Sequence, residues 1–462
     1  MKNLALCCFI ISGMIMVSMA ATNPDEVLNL PGLLKQPSFP HYSGYLKATG
    51  TKQLHYWLIT STHKITDPLV VFIYGGPGCS SLYSLFAENG PFTVQSNGVN
   101  LDYNEYSWNS FANVLYLESP AGVGFSYSED KNYKTDDDQI TEDHYAALKS
   151  FFVKYPALQP LPLYLMGESY ASVYVSLLAM KMINAAEGYD ASLKGIATGN
   201  GFNSVQKNVD SIVPFIYYHG LIGNDMWSVL QEQCCKDSQC SYYNSTNDNC
   251  TDTVNGIYQM VTDIGLNTYN LNADCVDSSS MKKYTGRNKY SKKKYAMDIT
   301  KLWDLSESGN ELPCVNTSAI TKYLNDPYVR QALHIESTVP AWTVCNSQIH
   351  DSYVMKYPDL TDIYKKLLAL YEFKLLFYNG DVDLTCNALG NEWFVKDLGK
   401  EVSVQWRPWL YNNGYDQIAG FVQEYEDHLA FVTIKGAGHM APHDNRNAAH
   451  QLIFNFMYNR PY

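Results

Sequence analysis

The stretch Leu163-Tyr164-Leu165-Met166-Gly167-Glu168-Ser169-Tyr170-Ala171 runs from apolar residues into a glycine, a glutamate, a serine and two small or aromatic neighbours. A short apolar run closed by glycine reads as a buried strand, and the Gly-x-Ser turn after it forces the serine onto a sharp corner between strand and helix. On such a corner the Ser169 hydroxyl is exposed, and the next N–H, that of Tyr170, faces the same space. That arrangement suits acyl transfer. The fifth position of Gly-x-Ser-x-Gly is Ala171. Gly-x-Ser strings are also common in ordinary turns, so this turn alone does not separate a nucleophile from a structural corner.

Two later stretches narrow the choice. Leu375-Leu376-Phe377-Tyr378-Asn379-Gly380 leads into the acidic turn Asp381-Val382-Asp383, and Phe431-Val432-Thr433-Ile434 leads through Lys435 into Gly436-Ala437-Gly438-His439. Alone, the first reads as a solvated turn and the second as a satisfied histidine. Together with Ser169 they place serine, aspartate and histidine in that order, each just past an apolar strand. This is the chain order of α/β-hydrolases; the two other familiar serine-protease folds order the residues differently. Active residues at the carboxyl ends of strands are also what an open α/β sheet assembles. His443 is the nearest rival, but only His439 closes a Gly-x-Gly-His turn.

A further apolar strand, Leu69 to Ile73, ends in Tyr74-Gly75-Gly76-Pro77-Gly78-Cys79-Ser80-Ser81. In α/β-hydrolases the loop after an early strand supplies the second oxyanion donor, here assigned to the Gly76 N–H beside that of Tyr170. The turn lacks the lysine of a P-loop and the Gly-x-Gly-x-x-Gly of a dinucleotide site.

The first residues, Met1-Lys2-Asn3 followed by an uncharged run to Met19, read as a secretory signal peptide over residues 1–20, cut after Ala20. No later stretch reaches the roughly 18 apolar residues of a membrane span. Removal of Cys7 and Cys8 leaves Cys79, Cys234, Cys235, Cys240, Cys250, Cys275, Cys314, Cys345 and Cys386, which in an oxidising compartment means paired bridges and one free thiol. A zinc site among them is disfavoured, since the spacing lacks paired Cys-x-x-Cys halves. Sequons stand at Asn244, Asn249 and Asn316. With 33 Lys and Arg against 46 Asp and Glu, the net charge of −13 makes nucleic acid an improbable partner.

The interval between Ser169 and Asp383 is far longer than one or two strand-helix units require. The expected architecture is therefore an α/β-hydrolase core, with a mostly parallel central sheet flanked by helices, formed by residues 21–202 and 313–462. A cap insertion over 203–312 interrupts it and contains the helical-looking Asp225–Glu232, the cysteine cluster and the basic run Lys282–Lys294. That run reads first as a solvated loop.

With these motifs in view the sequence resembles the serine carboxypeptidase family over nearly the whole mature chain, most closely its lysosomal branch. The likeness rests on Gly75–Ser81, Glu118–Ser128, Gly167–Tyr170, Tyr378–Asp383 with Cys386-Asn387, and Gly436–Met440. It implies peptide substrates, no cofactor and no metal, and the roles of nucleophile, acid partner and base for Ser169, Asp383 and His439. It also implies a pair of glutamates, Glu88 and Glu168, that recognise the substrate's free carboxylate; read without it, Glu88 is a solvated helix residue and Glu168 fills the turn. Two carboxyls in one site share a proton, so peptidase activity is expected to be best in acid.

By the same resemblance the bridges are Cys79–Cys345, Cys234–Cys250, Cys235–Cys240 and Cys275–Cys314, with Cys386 free. Lys282–Lys294 becomes a processing loop, and a homodimer and lysosomal glycosidases become partners. The chain departs from the family at four positions: Phe72 and Tyr74 replace tryptophan and asparagine of the carboxylate-binding network, and Ser172 and Ser176 replace glycine and proline after the nucleophile. Altered carboxylate recognition is the resulting expectation. A protective binding partner of glycosidases with weakened catalysis, and an esterase or acyltransferase on the same fold, are the alternatives.

Overall fold

Among the described residues ten strands form the main path of the sheet: β1 (His41–Lys47), β2 (Lys52–Ile59), β3 (Leu69–Ile73), β4 (Asn113–Leu117), β5 (Pro162–Glu168), β6 (Ser192–Gly199), β7 (Lys374–Gly380), β8 (Val402–Asn412), β9 (Asp416–Tyr425) and β10 (Leu429–Ile434), and the short strand Tyr127–Ser128 pairs with β2 off that path. Their order in the sheet is β1-β2-β4-β3-β5-β6-β7-β10-β9-β8. The centre, from β4 to β10, is parallel, and an antiparallel pair closes each side. This computed structural model describes residues 23–185, 192–237, 239–263, 265–275, 310–370, 373–412 and 415–462. The leader at 1–20 and the basic run at 282–294 lie outside the described residues.

β3, β4 and β10 are buried along their whole length and the other central strands over all but their first residues, which explains why they read as continuous apolar runs rather than alternating ones. Alternation survives in which core each side chain enters. Val70 and Phe72 of β3 join one apolar cluster, while Leu69, Val71 and Ile73 join the other. The helices α1 (Ser81–Ala87), α2 (Asp137–Lys154) and α3 (Ala171–Asn184) follow early strands. Ser80 caps α1 by accepting from the Leu82 N–H, and Asp136 caps α2 by accepting from that of Gln139.

After β6 come α4 (Val205–Tyr218), α5 (Asn224–Cys234) and α6 (Asp248–Asp263). The start of α4 belongs to the sheet's own core, through Val205 and Val209. Beyond it, Ile212, Ile216, Leu230, Val254 and Ile257 gather in a separate cluster that meets the sheet side through Leu384. Among the described residues four bridges are present, Cys79–Cys345, Cys234–Cys250, Cys235–Cys240 and Cys275–Cys314, and Cys386 is a buried thiol. Asn244, Asn249 and Asn316 are exposed.

Candidate active site

β5 ends at Glu168 and α3 starts at Ala171, so only Ser169 and Tyr170 make the corner. Ser169 holds φ at 61°, a left-handed conformation that costs a non-glycine residue about 1–3 kcal/mol. The surroundings enforce it. The Ser169 N–H donates to Gly199 O at 3.0 Å, and Ser169 O accepts from the N–H groups of Phe202 at 3.0 Å and Ser172 at 3.1 Å. Ser172 donates its hydroxyl to Phe202 O at 2.7 Å and so joins the same tie.

Asp383 is fully buried just past β7. Its Oδ2 accepts from His439 Nδ1 at 2.8 Å, Asn200 Nδ2 at 2.8 Å and the Cys386 N–H at 3.2 Å, and its Oδ1 from the Thr385 N–H at 2.9 Å. A carboxylate held by donors alone places the imidazole proton on Nδ1 and leaves Nε2 as the base. No direct hydrogen bond joins that ring to the Ser169 hydroxyl; in unliganded hydrolases this contact is commonly long and tightens with substrate. His443, the rival, is exposed and pairs with Asp444 at 2.9 Å.

The glycine turn packs on the corner. Gly76 has φ of 114°, and neither its N–H nor that of Tyr170 has an acceptor among the described residues. Both are available to an oxyanion. The Tyr170 side chain is anchored elsewhere, its hydroxyl donating to Asp137 at 2.9 Å.

Beside the corner two carboxyls meet. Glu88 and Glu168 are 1% and 0% exposed. Ser84 donates to Glu88 Oε1 at 2.8 Å. Burial holds Glu88 above the usual carboxyl range; burial, and then the neighbouring Glu88 charge, holds Glu168 well above it. Glu88 Oε2 and both Glu168 oxygens are buried with no hydrogen-bond partner among the described residues, an arrangement that disfavours ionisation of both carboxyls together. The Tyr74 hydroxyl borders Glu168, and burial followed by that carboxyl's charge pushes the phenol far above its ordinary value, so it stays a donor. Phe72 packs between Trp108 and Tyr116, with ring centroids at 5.8 and 5.9 Å, and brings no polar atom. Near it Tyr116 donates to Asn89 Oδ1 at 2.8 Å, whereas buried Asn89 Nδ2 has no partner.

The family profile described as serine carboxypeptidase matches residues 31–459. This chain belongs to the serine carboxypeptidase family. It is 43% identical over 461 residues to the lysosomal protective protein of Mus musculus, covering 96% of this chain and 95% of that one. It is 37% identical over 457 residues to serine carboxypeptidase ctsa-4.1 of Caenorhabditis elegans, with the same two coverages of 96% and 95%. Among solved structures, a prohormone-processing carboxypeptidase of Saccharomyces cerevisiae superposes with a TM-score of 0.73 at 22% identity, over 94% of this chain and 95% of that one. The α/β-hydrolase fold expected from the order of motifs is the fold this serine carboxypeptidase adopts, and its class is that of a serine-type hydrolase.

Several residues that shape this carboxypeptidase's site escaped sequence reasoning. Asn200, Tyr269 and Asp137 contact Asp383, His439 and Tyr170 respectively, yet each lies between 33 and 183 positions from its partner. Only Asn200 left a local trace, an Asn-Gly pair at the end of an apolar strand.

Proposed function

We propose that this protein releases single C-terminal residues from peptides in acid, through an acyl-enzyme on Ser169. His439 Nε2 takes the Ser169 proton as Oγ attacks the last peptide carbonyl, and the tetrahedral oxyanion receives the N–H groups of Gly76 and Tyr170. His439 then gives its proton to the departing amine, which leaves as the free amino acid. Water attacks the acyl-enzyme, His439 takes its proton, and collapse returns that proton to Ser169 Oγ as the shortened peptide departs. Asp383 keeps the ring in one tautomer throughout.

The substrate's carboxylate is received by the Glu88–Glu168 pair while it retains its proton. Tyr74 adds a second donor there, and Phe72 adds none, which is the altered part of carboxylate recognition. The observation that carries this reading is the Asp383–His439 bond of 2.8 Å beside a serine held in a left-handed corner. Likeness to a lysosomal protective protein supports a lysosomal or secreted location, and among the described residues no helix is long and apolar enough to cross a membrane. Residues 203–312 are read as a cap, and Asn244, Asn249 and Asn316 as glycan acceptors.

The test is mass spectrometry of peptides incubated at acid pH with wild type and Ser169→Ala. Stepwise loss of C-terminal residues by wild type alone is expected. Intact peptides, with simple esters still hydrolysed, would reject the exopeptidase reading.

A further inference from the structure

After α6 the chain passes Asn267-Thr268-Tyr269-Asn270-Leu271, a stretch with no chemistry of its own in the reaction above. Asn267 Oδ1 accepts from the N–H groups of Tyr269 and Asn270, both at 3.1 Å, and so curls the segment on itself. The curl sets its remaining groups against the two turns that carry Asp383 and His439. Thr268 O accepts from the Leu384 N–H at 3.0 Å and from Thr385 Oγ1 at 3.3 Å, and the Leu271 N–H donates to Val382 O at 3.1 Å. Asp383 is thereby bracketed on both sides along the backbone.

His439 is gripped from the same segment. Its N–H donates to Tyr269 O at 2.6 Å, and the Tyr269 ring stacks on the imidazole with centroids 4.5 Å apart and planes 14° from parallel. Asn270 Nδ2 donates to Asp444 Oδ2 at 2.9 Å, and the same oxygen accepts from the Gly438 N–H at 2.7 Å. A Cβ on Gly438 would lie 2.2 Å from Tyr269 O and 2.6 Å from Asn270 Cβ, so glycine is required there by contact with this segment.

We propose that Asn267–Leu271, latched through Asn270 to Asp444, is a positioning clamp that holds Asp383 and His439 in register. The part of the chain between β6 and β7 thus contributes to catalysis by positioning other residues rather than only covering the site. The physical warrant is that proton transfer to Nε2 tolerates little misplacement: displacement of a reacting group by about 1 Å can cost on the order of 10²-fold in rate. The face of the Tyr269 ring also favours the positive charge that His439 acquires as Ser169 attacks.

This inference rests on the reading of His439 as the base, and the experiment keeps the two apart. Asn270→Ala is the primary variant, because it removes the latch without changing the charge near Glu88. On an ester substrate with no free carboxylate it is expected to lower kcat about tenfold with KM within about twofold, and to slow fluorophosphonate labelling of Ser169 by the same factor. Asp444→Ala should do the same, Asp444→Asn should recover most of the rate by keeping an acceptor for Gly438, and the double Asn270→Ala/Asp444→Ala should be no slower than either single variant. Unchanged kcat and labelling in Asn270→Ala, or additive losses in the double variant, would overturn the clamp. Normal labelling in His439→Ala would instead remove the reading beneath it.

Discussion

A Cβ placed on Gly75 would stand 3.0 Å from the Cβ of Ser169 and 2.6 Å from the Tyr170 nitrogen. The turn that presents Gly76 and the corner that presents Ser169 are therefore in direct contact, and the close approach of the Gly76 and Tyr170 N–H groups, the proposed oxyanion donors, depends on the absence of a side chain. Gly75→Ala should push the turn off the corner. Since loss of one such donor costs about 10²–10³ in kcat, a fall of that size with little change in KM is expected from steady-state kinetics. A fall of less than threefold would show that the turn does not form the hole.

Asn200 couples three elements at once. It sits in the left-handed region with φ of 43°, donates to Asp383 at 2.8 Å and accepts from the Gly380 N–H at 3.1 Å. Alanine would lose both bonds and tolerate that backbone less well than asparagine does. Asn200→Ala should lower stability by about 1–3 kcal/mol in a urea titration and reduce kcat. Asn200→Asp makes a sharper case: it keeps an acceptor for the Gly380 N–H but puts an acceptor where Asp383 needs a donor, so kcat should fall at least as far as in Asn200→Ala. An unchanged kcat in Asn200→Asp would refute the contact.

What could be read from the chain and what could not follows from the reach of each interaction. Ser169, Asp383 and His439 were visible because each stands within a few positions of its own strand end, where apolar runs and glycines mark the turn. The sheet's parallel centre was visible for the same reason. Asn200, Tyr269 and Asp444 were not, because their roles come from partners that only the folded sheet brings near. Glu88 shows the limit most plainly. By composition it is a surface helix residue, and only the packing of the end of α1 against the corner buries its carboxyl with that of Glu168. Phe72 and Tyr74 were flagged by comparison with the family; their packing against Trp108 and Tyr83 is what the fold adds.

The glutamate pair dictates a pH dependence whose sign can be worked out. Both carboxyls are raised, Glu168 more strongly, chiefly by burial. A carboxyl raised in the folded state binds its proton more tightly there than in the unfolded chain, where its pKa is about 4.3. Its contribution to stability is thus complete below that value and is lost as pH rises through the folded one. Peptide hydrolysis should decline over the same window, because a doubly ionised pair repels the substrate's carboxylate. Ester hydrolysis, which needs no such recognition, should decline less. In Glu168→Gln the amide can still hydrogen bond to Glu88 but cannot ionise, so the peptide profile should flatten on the alkaline side. Parallel peptide and ester profiles in wild type would remove the pair from substrate recognition.

A second chain of serine, histidine and acid lies within the sheet, and its burial predicts a different consequence. Ser43 Oγ is 3.0 Å from His55 Nε2, and His55 Nδ1 is 2.8 Å from Glu118 Oε2. All three are fully buried, and the Ser43 hydroxyl donates to Leu333 O at 2.8 Å, so it has no proton to yield to a base. Glu118 also accepts from the Phe125 N–H and Trp342 Nε1, each at 2.9 Å, and from Ser80 next to the oxyanion turn. The constellation joins β1, β2, the loop after β4 and the segment carrying Cys345, which makes it a brace. Glu118→Ala would leave His55, Trp342 and Ser80 without their buried partner. A loss of about 3–5 kcal/mol in urea unfolding is expected, the cost of breaking a buried pair by removing one member. Ser43→Ala should leave fluorophosphonate labelling intact, while Ser169→Ala abolishes it. Residual labelling in Ser169→Ala that disappears when Ser43 is also replaced would show that the inner serine is reactive after all.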